Sequence, residues 1–408
     1  MKASKAWLLA LATILPPMAG TLGAQPAGDN GFAVTITNPS DWRRQEVVEV
    51  PQLSECDTAW VVTDDAGNEV TSQTARVGGL LIDVDLPARG KATYTVRKGT
   101  PKQVRTAVHG AFYKIRKDDI AWENDKIIFR MYGPALQRSG ERSFGTDVWV
   151  KNTPELVMDS RYWIDYRGNQ LEGELRKAGK RKEEKQVDDI TSFHIDHGNG
   201  MDSYAVGPTL GCGAPALFDG RQLFYPWCYD EGTILDNGPL RFSVRLNYPP
   251  VSLNGRDSIV EHRVVTLDKH SHFSRCTVWY TGGGNAGLRL AAGIVVHDDS
   301  PVITRRDYVA YADPSENFGS DKTFVAVVAP DAAQEPCLFE QDDARSHKPV
   351  EHALCFPNQA PGEAGDYWFG AAWSKYDIAS LEAWQAHVER FAKERKQPLK
   401  IKVKALKP

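Results

Sequence analysis

One stretch near the middle of the chain, FHIDHGNGMDSYAVGPTLGCGA at residues 193–214, contains residue types that can transfer protons. Its imidazoles are His194 and His197, and its phenol is Tyr204. Imidazole titrates near neutral pH and suits a general base, whereas a phenol can serve as a general acid. Its five glycines allow sharp turns and a close approach of the backbone to a ligand. We interpret the stretch as catalytic; a polar loop whose histidines bond to the backbone is the structural alternative.

The same stretch offers possible ligands for a divalent metal, because imidazole and carboxylate groups are common metal ligands. These possible ligands are His194, Asp196, His197 and Asp202. The chain has no CxxC spacing, and the HExxH, GxSxG and P-loop motifs are absent from it. The sequence therefore permits a metal at this stretch without requiring one.

Residues suited to binding an acidic sugar occur in neighbouring segments. Arginine forks bind carboxylates in a bidentate manner, and indole faces stack on the apolar face of a sugar. For any one of these residues, a surface ion pair or core packing is the alternative. The predicted substrate-binding residues are Arg138, Arg142, Lys151, Arg161, Tyr225, Trp227 and Tyr229.

The first 24 residues have the pattern of a secretory signal peptide. Lys2 and Lys5 precede an apolar run from Ala6 to Ile14, and small residues continue to Ala24. No later run reaches the roughly 20 apolar residues that span a bilayer. We therefore expect a periplasmic or secreted protein with no membrane partner; an uncleaved anchor is the alternative. The net charge of −4, with both signs interspersed, gives no support for a nucleic-acid partner.

The six cysteines are consistent with disulfides in an exported protein. Six cysteines allow 15 pairings, so the sequence does not determine the connectivity. Cys212 with Cys228, and Cys337 with Cys355, would close short loops, and these two pairs are our first predictions.

The elements that must position these residues are mostly strands. Short alternating segments separated by turn residues predict a small N-terminal β-sandwich over residues 25–102. Longer aromatic and β-branched segments predict a large, supersandwich-like β-sandwich over residues 103–408, which would be the catalytic domain. One helix is clear, from Leu381 to Lys396, because its apolar residues recur every three or four positions before Pro398. A terminal strand follows, and the charged segment 174–189 is expected to be a solvated loop or a short exposed helix.

The motifs YGPALQR, GTDVWVK, FHIDHGNGMDSYAVGPTLGCGA and NGPLRFSVRL resemble a family of exported bacterial proteins catalogued as a domain of unknown function. The likeness runs from about residue 32 over most of the chain. Members of that family occur with enzymes that degrade uronate-containing polysaccharides such as pectin and ulvan. The resemblance implies an acidic oligosaccharide substrate and β-elimination at a uronic acid, by a dehydratase or a lyase.

Elimination beside a uronate carboxylate assigns a role to each candidate group. An arginine or a metal neutralises the carboxylate so that negative charge can develop there. His194 or His197 would take the C5 proton, and Tyr204 would protonate the departing C4 oxygen. A non-catalytic acidic-glycan-binding protein and a metal-dependent glycoside hydrolase are the alternative functions.

Overall fold

The computed structural model describes residues 31–54, 59–253, 258–282, 287–314, 321–342, 348–360 and 362–407. The predicted signal peptide, residues 1–24, and Cys56 lie outside these described residues. Strands dominate the described chain, so the predicted mostly β fold class is confirmed.

The strands are numbered in chain order. Those of the N-terminal region are β1 (Phe32–Thr37), β2 (Arg44–Val50), β3 (Trp60–Thr63), β4 (Glu69–Val70), β5 (Ser72–Thr74), β6 (Leu80–Leu86) and β7 (Lys91–Lys98). The next are β8 (His109–Tyr113), β9 (Asp119–Glu123), β10 (Ile128–Met131), β11 (Asp147–Val150), β12 (Met201–Asp202), β13 (Cys212–Phe218), β14 (Leu223–Phe224), β15 (Glu231–Asn237), β16 (Arg241–Asn247), β17 (Val251–Ser252) and β18 (Ser258–Asp268). The remainder are β19 (Phe273–Gly282), β20 (Arg289–Val296), β21 (Ile303–Arg305), β22 (Tyr308–Asp313), β23 (Thr323–Val328), β24 (Cys337–Asp342), β25 (Pro349–Cys355), β26 (Gly365–Trp373) and β27 (Lys400–Ala405).

Two sheets pack together in the N-terminal region, in the orders β27-β1-β7-β3-β4 and β2-β6-β5. Alternate residues of β1, such as Val34 and Ile36, are buried between them with Ile82 and Val84 of β6. The predicted terminal strand is β27, and it lies antiparallel to β1 with Phe32 opposite Ala405. The N-terminal sandwich is therefore completed by a strand from the opposite end of the described chain.

Three sheets build the larger sandwich, in the orders β12-β11-β10-β9-β8, β14-β13-β20-β25-β24 and β15-β16-β18-β19-β26-β23-β22-β21. The first two lie on one side of the core and the third, which we call the large sheet, on the other. Trp122, Leu290 and Phe369, one from each sheet, belong to the same buried cluster. Closely packed aromatic and branched side chains fill this core, as the sequence predicted for a sandwich.

The helices are α1 (Pro134–Arg138), α2 (Met158–Lys177), α3 (Arg181–Thr191) and α4 (Leu381–Lys396). Helix α4 has the predicted bounds; Ser380 caps it by accepting a hydrogen bond from Ala383 N, and Trp384 and Val388 pack on the outer face of the large sheet. The charged segment 174–189 forms the end of α2 and most of α3. Among the described residues, no helix is both long and apolar enough to cross a bilayer.

The predicted disulfides are wrong. Cys212, Cys228, Cys276, Cys337 and Cys355 are all free thiols, and all except Cys337 are buried. Cys212 lies against the carbonyl oxygen of Gly370 rather than against another sulfur. Buried cysteines behave as small apolar side chains, and packing explains those in this core.

Candidate functional site

Two glycines of the 193–214 segment, Gly200 and Gly211, allow close packing of the backbone. Gly200 has a φ of +108°, and a Cβ atom there would lie 2.0 Å from the carbonyl oxygen of Val150. Gly211 has a φ of +57°, and its Cβ would lie 2.3 Å from the oxygen of Thr146. Only glycine tolerates both the left-handed backbone and these distances. The loop is therefore pressed against the strand β11 that precedes the α2–α3 hairpin.

Arg130, on β10, is at the centre of a buried cluster of ion pairs beside the 193–214 segment. Its buried guanidinium forms an ion pair with Asp147, which faces it on β11, and another with Asp202 at 2.8 Å. Asp119 lies 3.9 Å away. Burial raises the pKa of Asp119 and of Asp147 above the usual range for a carboxyl group. Because these carboxylates surround it, the Arg130 guanidinium already has anionic partners within the protein.

The two predicted histidines are more exposed than the Arg130 cluster. His194 is half-exposed, and its Nδ1 lies 3.1 Å from the carbonyl oxygen of Asp202 and 3.7 Å from Oδ2 of the same residue. His197 is exposed, and its Nε2 lies 3.1 Å from the carbonyl oxygen of Ser192. Each histidine is therefore fixed by the backbone at one ring nitrogen, and His194 also has a carboxylate nearby.

The possible metal ligands have other partners. Asp196 accepts hydrogen bonds from Gly198 N and Gly200 N and forms an ion pair with Lys375 at 2.6 Å. Asp202 is paired with Arg130. In the described part of the chain, no group of three or more His, Cys, Asp or Glu residues is arranged to hold a metal ion.

Tyr204 occupies an unusual position for a tyrosine. Its side chain is 5% exposed, and its Oη has no hydrogen-bond partner among the described residues. Its ring packs edge-on against the imidazole of His297, with 5.8 Å between the ring centroids. Burial raises the pKa of the phenol well above its usual value, so the group stays protonated at neutral pH.

His297 forms a close pair with Asp313. Its Nδ1 lies 2.6 Å from Oδ2 of Asp313, which is buried, while the imidazole is partly exposed. Beside it, Tyr311 donates a hydrogen bond to Asp298 at 2.6 Å. A carboxylate at Nδ1 fixes the tautomer of the imidazole and leaves Nε2 free to accept a proton.

Sequence reasoning missed this pair. His297 directly follows β20, and Asp313 is the last residue of β22, so both lie at strand ends. The two strands belong to different sheets, and only the packing of one sheet on the other brings the residues together. The available signal was a polar residue at the end of an apolar strand. The sequence alone could not show that the end of β20 lies beside the end of β22.

Arg142 and Trp227 form a second feature of the site, and both were predicted. The Arg142 guanidinium lies 5.0 Å from the Trp227 ring centroid and 5.3 Å from that of Phe144. Arg142 forms no ion pair with any described residue, and its buried Nε has no hydrogen-bond partner there. Phe144 N donates to the carbonyl oxygen of Gly207 at 3.1 Å, three residues after Tyr204. The arginine–indole pair therefore borders the segment that carries Tyr204.

Two predicted substrate-binding cations are structural. Lys151 is fully buried, and its Nζ lies 2.7 Å from Glu123 Oε2 and donates to the carbonyl oxygen of Asn124. Arg161, also buried, donates to the carbonyl oxygen of Ile195 at 2.6 Å. Both side chains are therefore engaged by groups of the protein itself, Lys151 by Glu123 and Asn124 and Arg161 by the glycine-rich segment.

The other predicted binding residues differ in their surroundings. Arg138 is exposed beside Asp118 at 3.4 Å, and no hydrogen bond or ion pair of the described residues joins it to the histidines. Tyr229 is buried and donates to the carbonyl oxygen of Asp118, while Tyr225 donates to that of Pro208 at 3.1 Å. The two hydroxyl groups are thus engaged by the backbone. Of the three predicted aromatic residues, Trp227 is the one whose ring has a described cation, Arg142, over it.

A family model described as "Domain of unknown function (DUF4861)" matches residues 36–401. The chain belongs to the DUF4861 family. A relative from Formosa agariphila, "Uncharacterized protein P7", is 26% identical over 306 residues, which cover 72% of this DUF4861 chain and 69% of the relative.

Two solved structures from Enterococcus faecalis have a low similarity to this chain. One is an alpha-mannosidase from strain V583, with 10% identity and a TM-score of 0.44 over 93% of this chain and 47% of that one. The other is a protein in the glycosyl hydrolase family 38, with 10% identity and a TM-score of 0.46 over 93% and 48%. The DUF4861 chain spans about half the length of these structures, and a similarity at this level does not bear on its chemistry.

Proposed function

We propose that this DUF4861 protein is a carbohydrate-active carbon–oxygen lyase that acts by β-elimination on oligosaccharides containing uronic acid. The observation that carries the proposal is Tyr204, a buried phenol without a hydrogen-bond partner in the described chain, packed against the His297–Asp313 pair. A protonated acid and an oriented base at one position are what elimination requires.

His297 is the base in this proposal. Asp313 accepts the Nδ1 proton, so Nε2 of the neutral imidazole takes the C5 proton of the uronate. The released electron pair forms the C4–C5 double bond while the C4–O bond breaks. Tyr204 gives its phenolic proton to the departing oxygen, so water leaves in a dehydration and a sugar leaves in a lyase reaction. His194, oriented by Asp202, is the alternative base predicted from the sequence.

Arg142 is the group best suited to hold the uronate carboxylate. It has no carboxylate partner among the described residues, whereas Arg130 is surrounded by carboxylates and Arg161 by backbone oxygens. The Trp227 indole under its guanidinium offers an apolar face for the sugar ring. A guanidinium on the carboxylate offsets the negative charge that develops when the C5 proton leaves.

The test is incubation of the purified protein with a panel of uronate oligosaccharides, read by the ultraviolet absorbance of the unsaturated product and by mass spectrometry. A product lighter by one water indicates a dehydratase, and release of a sugar with an unsaturated partner indicates a lyase. We expect His297→Gln to lower turnover by roughly 10²–10⁴-fold, the range for removing a general base. His194→Gln is the matched comparison and should retain most of the activity.

Three results would contradict the proposal or part of it. Saturated products would indicate a hydrolase. Binding of uronate oligosaccharides without any turnover would indicate a binding protein. Loss of turnover in His194→Gln but not in His297→Gln would move the base to the glycine-rich loop.

A further inference from the structure

The outer face of the large sheet carries a second arginine–indole pair, in addition to Arg142 and Trp227. His262 on β18 lies directly opposite Trp279 on β19, and their rings stack with centroids 5.2 Å apart at 16°. The guanidinium of Arg245, on β16, lies 5.4 Å from the Trp279 ring centroid. Alternate residues of β18 are buried, and His262 belongs to the alternate set that points away from the core. Tyr204 belongs to the core on the other side of this sheet.

Arg245 differs from its neighbours on this face in having no carboxylate. Arg241, four residues earlier on the same strand, is paired with Asp268 at 2.6 Å and with Glu49 at 2.6 Å. Arg275 is paired with Asp366 at 2.7 Å. Arg245 forms no ion pair with any described residue, and its buried Nε has no hydrogen-bond partner there. Its charge is therefore available to an anion from outside the chain.

His262, stacked on Trp279, is fixed at both ring nitrogens. Its Nδ1 lies 2.8 Å from Asn247 Oδ1, and its Nε2 lies 2.8 Å from Thr281 Oγ1. Burial, with a smaller contribution from Arg245, lowers the pKa of the imidazole, so the ring is neutral at neutral pH. The two rings are therefore stacked and fixed in place, and the positive charge beside them comes from the guanidinium.

A cleft of about 620 Å³ lies further along the same face of the large sheet, between the N-terminal sandwich and α4. Thr266 and Trp368 contribute to its lining, and the Arg275 guanidinium lies 5.9 Å from the Trp368 ring centroid. Thr266 and His262 are four residues apart on β18, a separation of about 13 Å along a strand. A ligand longer than one sugar ring can therefore contact both the cleft and Trp279.

We propose that Arg245, His262 and Trp279 form a binding subsite for a uronic acid unit of a glycan chain, separate from the catalytic site. The Arg245 fork binds the carboxylate, and the Trp279 indole packs on the apolar face of the sugar ring. The class of ligand rests on the proposed function, whereas the existence of a subsite rests on the unpaired guanidinium over the indole. Such a subsite keeps a polymeric substrate attached while the chain end reacts.

Calorimetry with a long uronate oligosaccharide tests this proposal in an Arg142→Gln background, which removes the proposed catalytic clamp. We expect binding to persist in that background and to weaken about tenfold or more when Arg245→Gln is added, because a charge-assisted bidentate contact is lost. Arg305→Gln, an exposed arginine elsewhere on the chain, is the control and should leave binding unchanged. A neutral oligosaccharide of the same length should bind far more weakly.

The outcome that overturns the proposal is equal affinity in the presence and absence of Arg245→Gln, or no binding in the Arg142→Gln background. Trp279→Phe provides a second variant, since it keeps an aromatic ring in the stack and should weaken binding less than Arg245→Gln. This binding measurement does not depend on turnover. Absence of elimination would therefore contradict the proposed function and leave the subsite standing, while equal affinities would contradict the subsite alone.

Discussion

Replacing Tyr204 by phenylalanine removes one oxygen atom and keeps the ring that packs against His297. The Oη is buried and has no hydrogen-bond partner among the described residues, so the substitution breaks no bond within them. A buried polar group without a partner costs roughly 1–3 kcal/mol. We therefore expect the free energy of unfolding of Tyr204→Phe to equal that of the wild type or to exceed it by up to about that amount.

Turnover should change in the opposite direction, because the proposed acid is lost. Removal of a general acid lowers the rate by roughly 10²–10⁴-fold. Denaturant unfolding measures the first effect, and the ultraviolet absorbance of the unsaturated uronate measures the second. Tyr311→Phe is the matched control for stability: it removes a hydroxyl that donates to Asp298 at 2.6 Å and accepts from the backbone N–H groups of His297 and Asp298. We expect it to lower the free energy of unfolding by at least about 1 kcal/mol.

Two results would refute this reasoning. If Tyr204→Phe destabilises the protein as much as Tyr311→Phe does, its hydroxyl is held by a structural bond. If Tyr204→Phe retains full turnover, the proton donor is another group.

Three further substitutions test the site and the fold. Arg142→Gln should raise KM for a uronate substrate about tenfold or more, because the carboxylate loses a charge-assisted contact, and should also lower kcat, because the developing negative charge is no longer offset. Arg138→Gln should leave the kinetics unchanged. Lys151→Met should lower the free energy of unfolding by about 3–5 kcal/mol, since it leaves the buried carboxylate of Glu123 unpaired; an unchanged denaturation midpoint would show that the pair is not structural. Burial lowers the pKa of His352 from 6.5 to about 4, so the stability it contributes is full above pH 6.5 and is lost as the pH falls toward 4. His352→Gln should remove about 3 kcal/mol of that acid-dependent loss, which unfolding curves measured between pH 7 and pH 4 would detect.

The sequence predicted helix α4 but not α2, and side-chain placement explains the difference. In α4 the buried residues Trp384 and Val388 lie four positions apart, which gives a clear stripe. In α2 the buried set includes Arg161 and Gly168, while Trp163 is 55% exposed. An apolar-stripe criterion fails when a helix buries a polar side chain and exposes an aromatic one.

The candidate site was predictable only where its residues are close in sequence. Tyr204 and Arg142 stood out because each lies in a polar, glycine-rich segment. His297 and Asp313 did not, because β20 and β22 meet through packing of two sheets rather than through a shared segment. Lys151, which directly follows β11, was predicted to bind substrate because the sequence gives no sign that it is buried against Glu123.

The pairing of β27 with β1 has a consequence for biosynthesis. Phe32 and Ala405 are opposite each other, so β1 acquires this neighbouring strand only after more than 360 further residues have been made. Until then, the backbone amides and carbonyls along that side of β1 have no partner, and an open strand edge invites pairing with another chain. Contacts this distant in sequence also slow folding. Until β27 has been made, the nascent polypeptide therefore carries an open, aggregation-prone strand edge, which a chaperone that shields extended segments would protect.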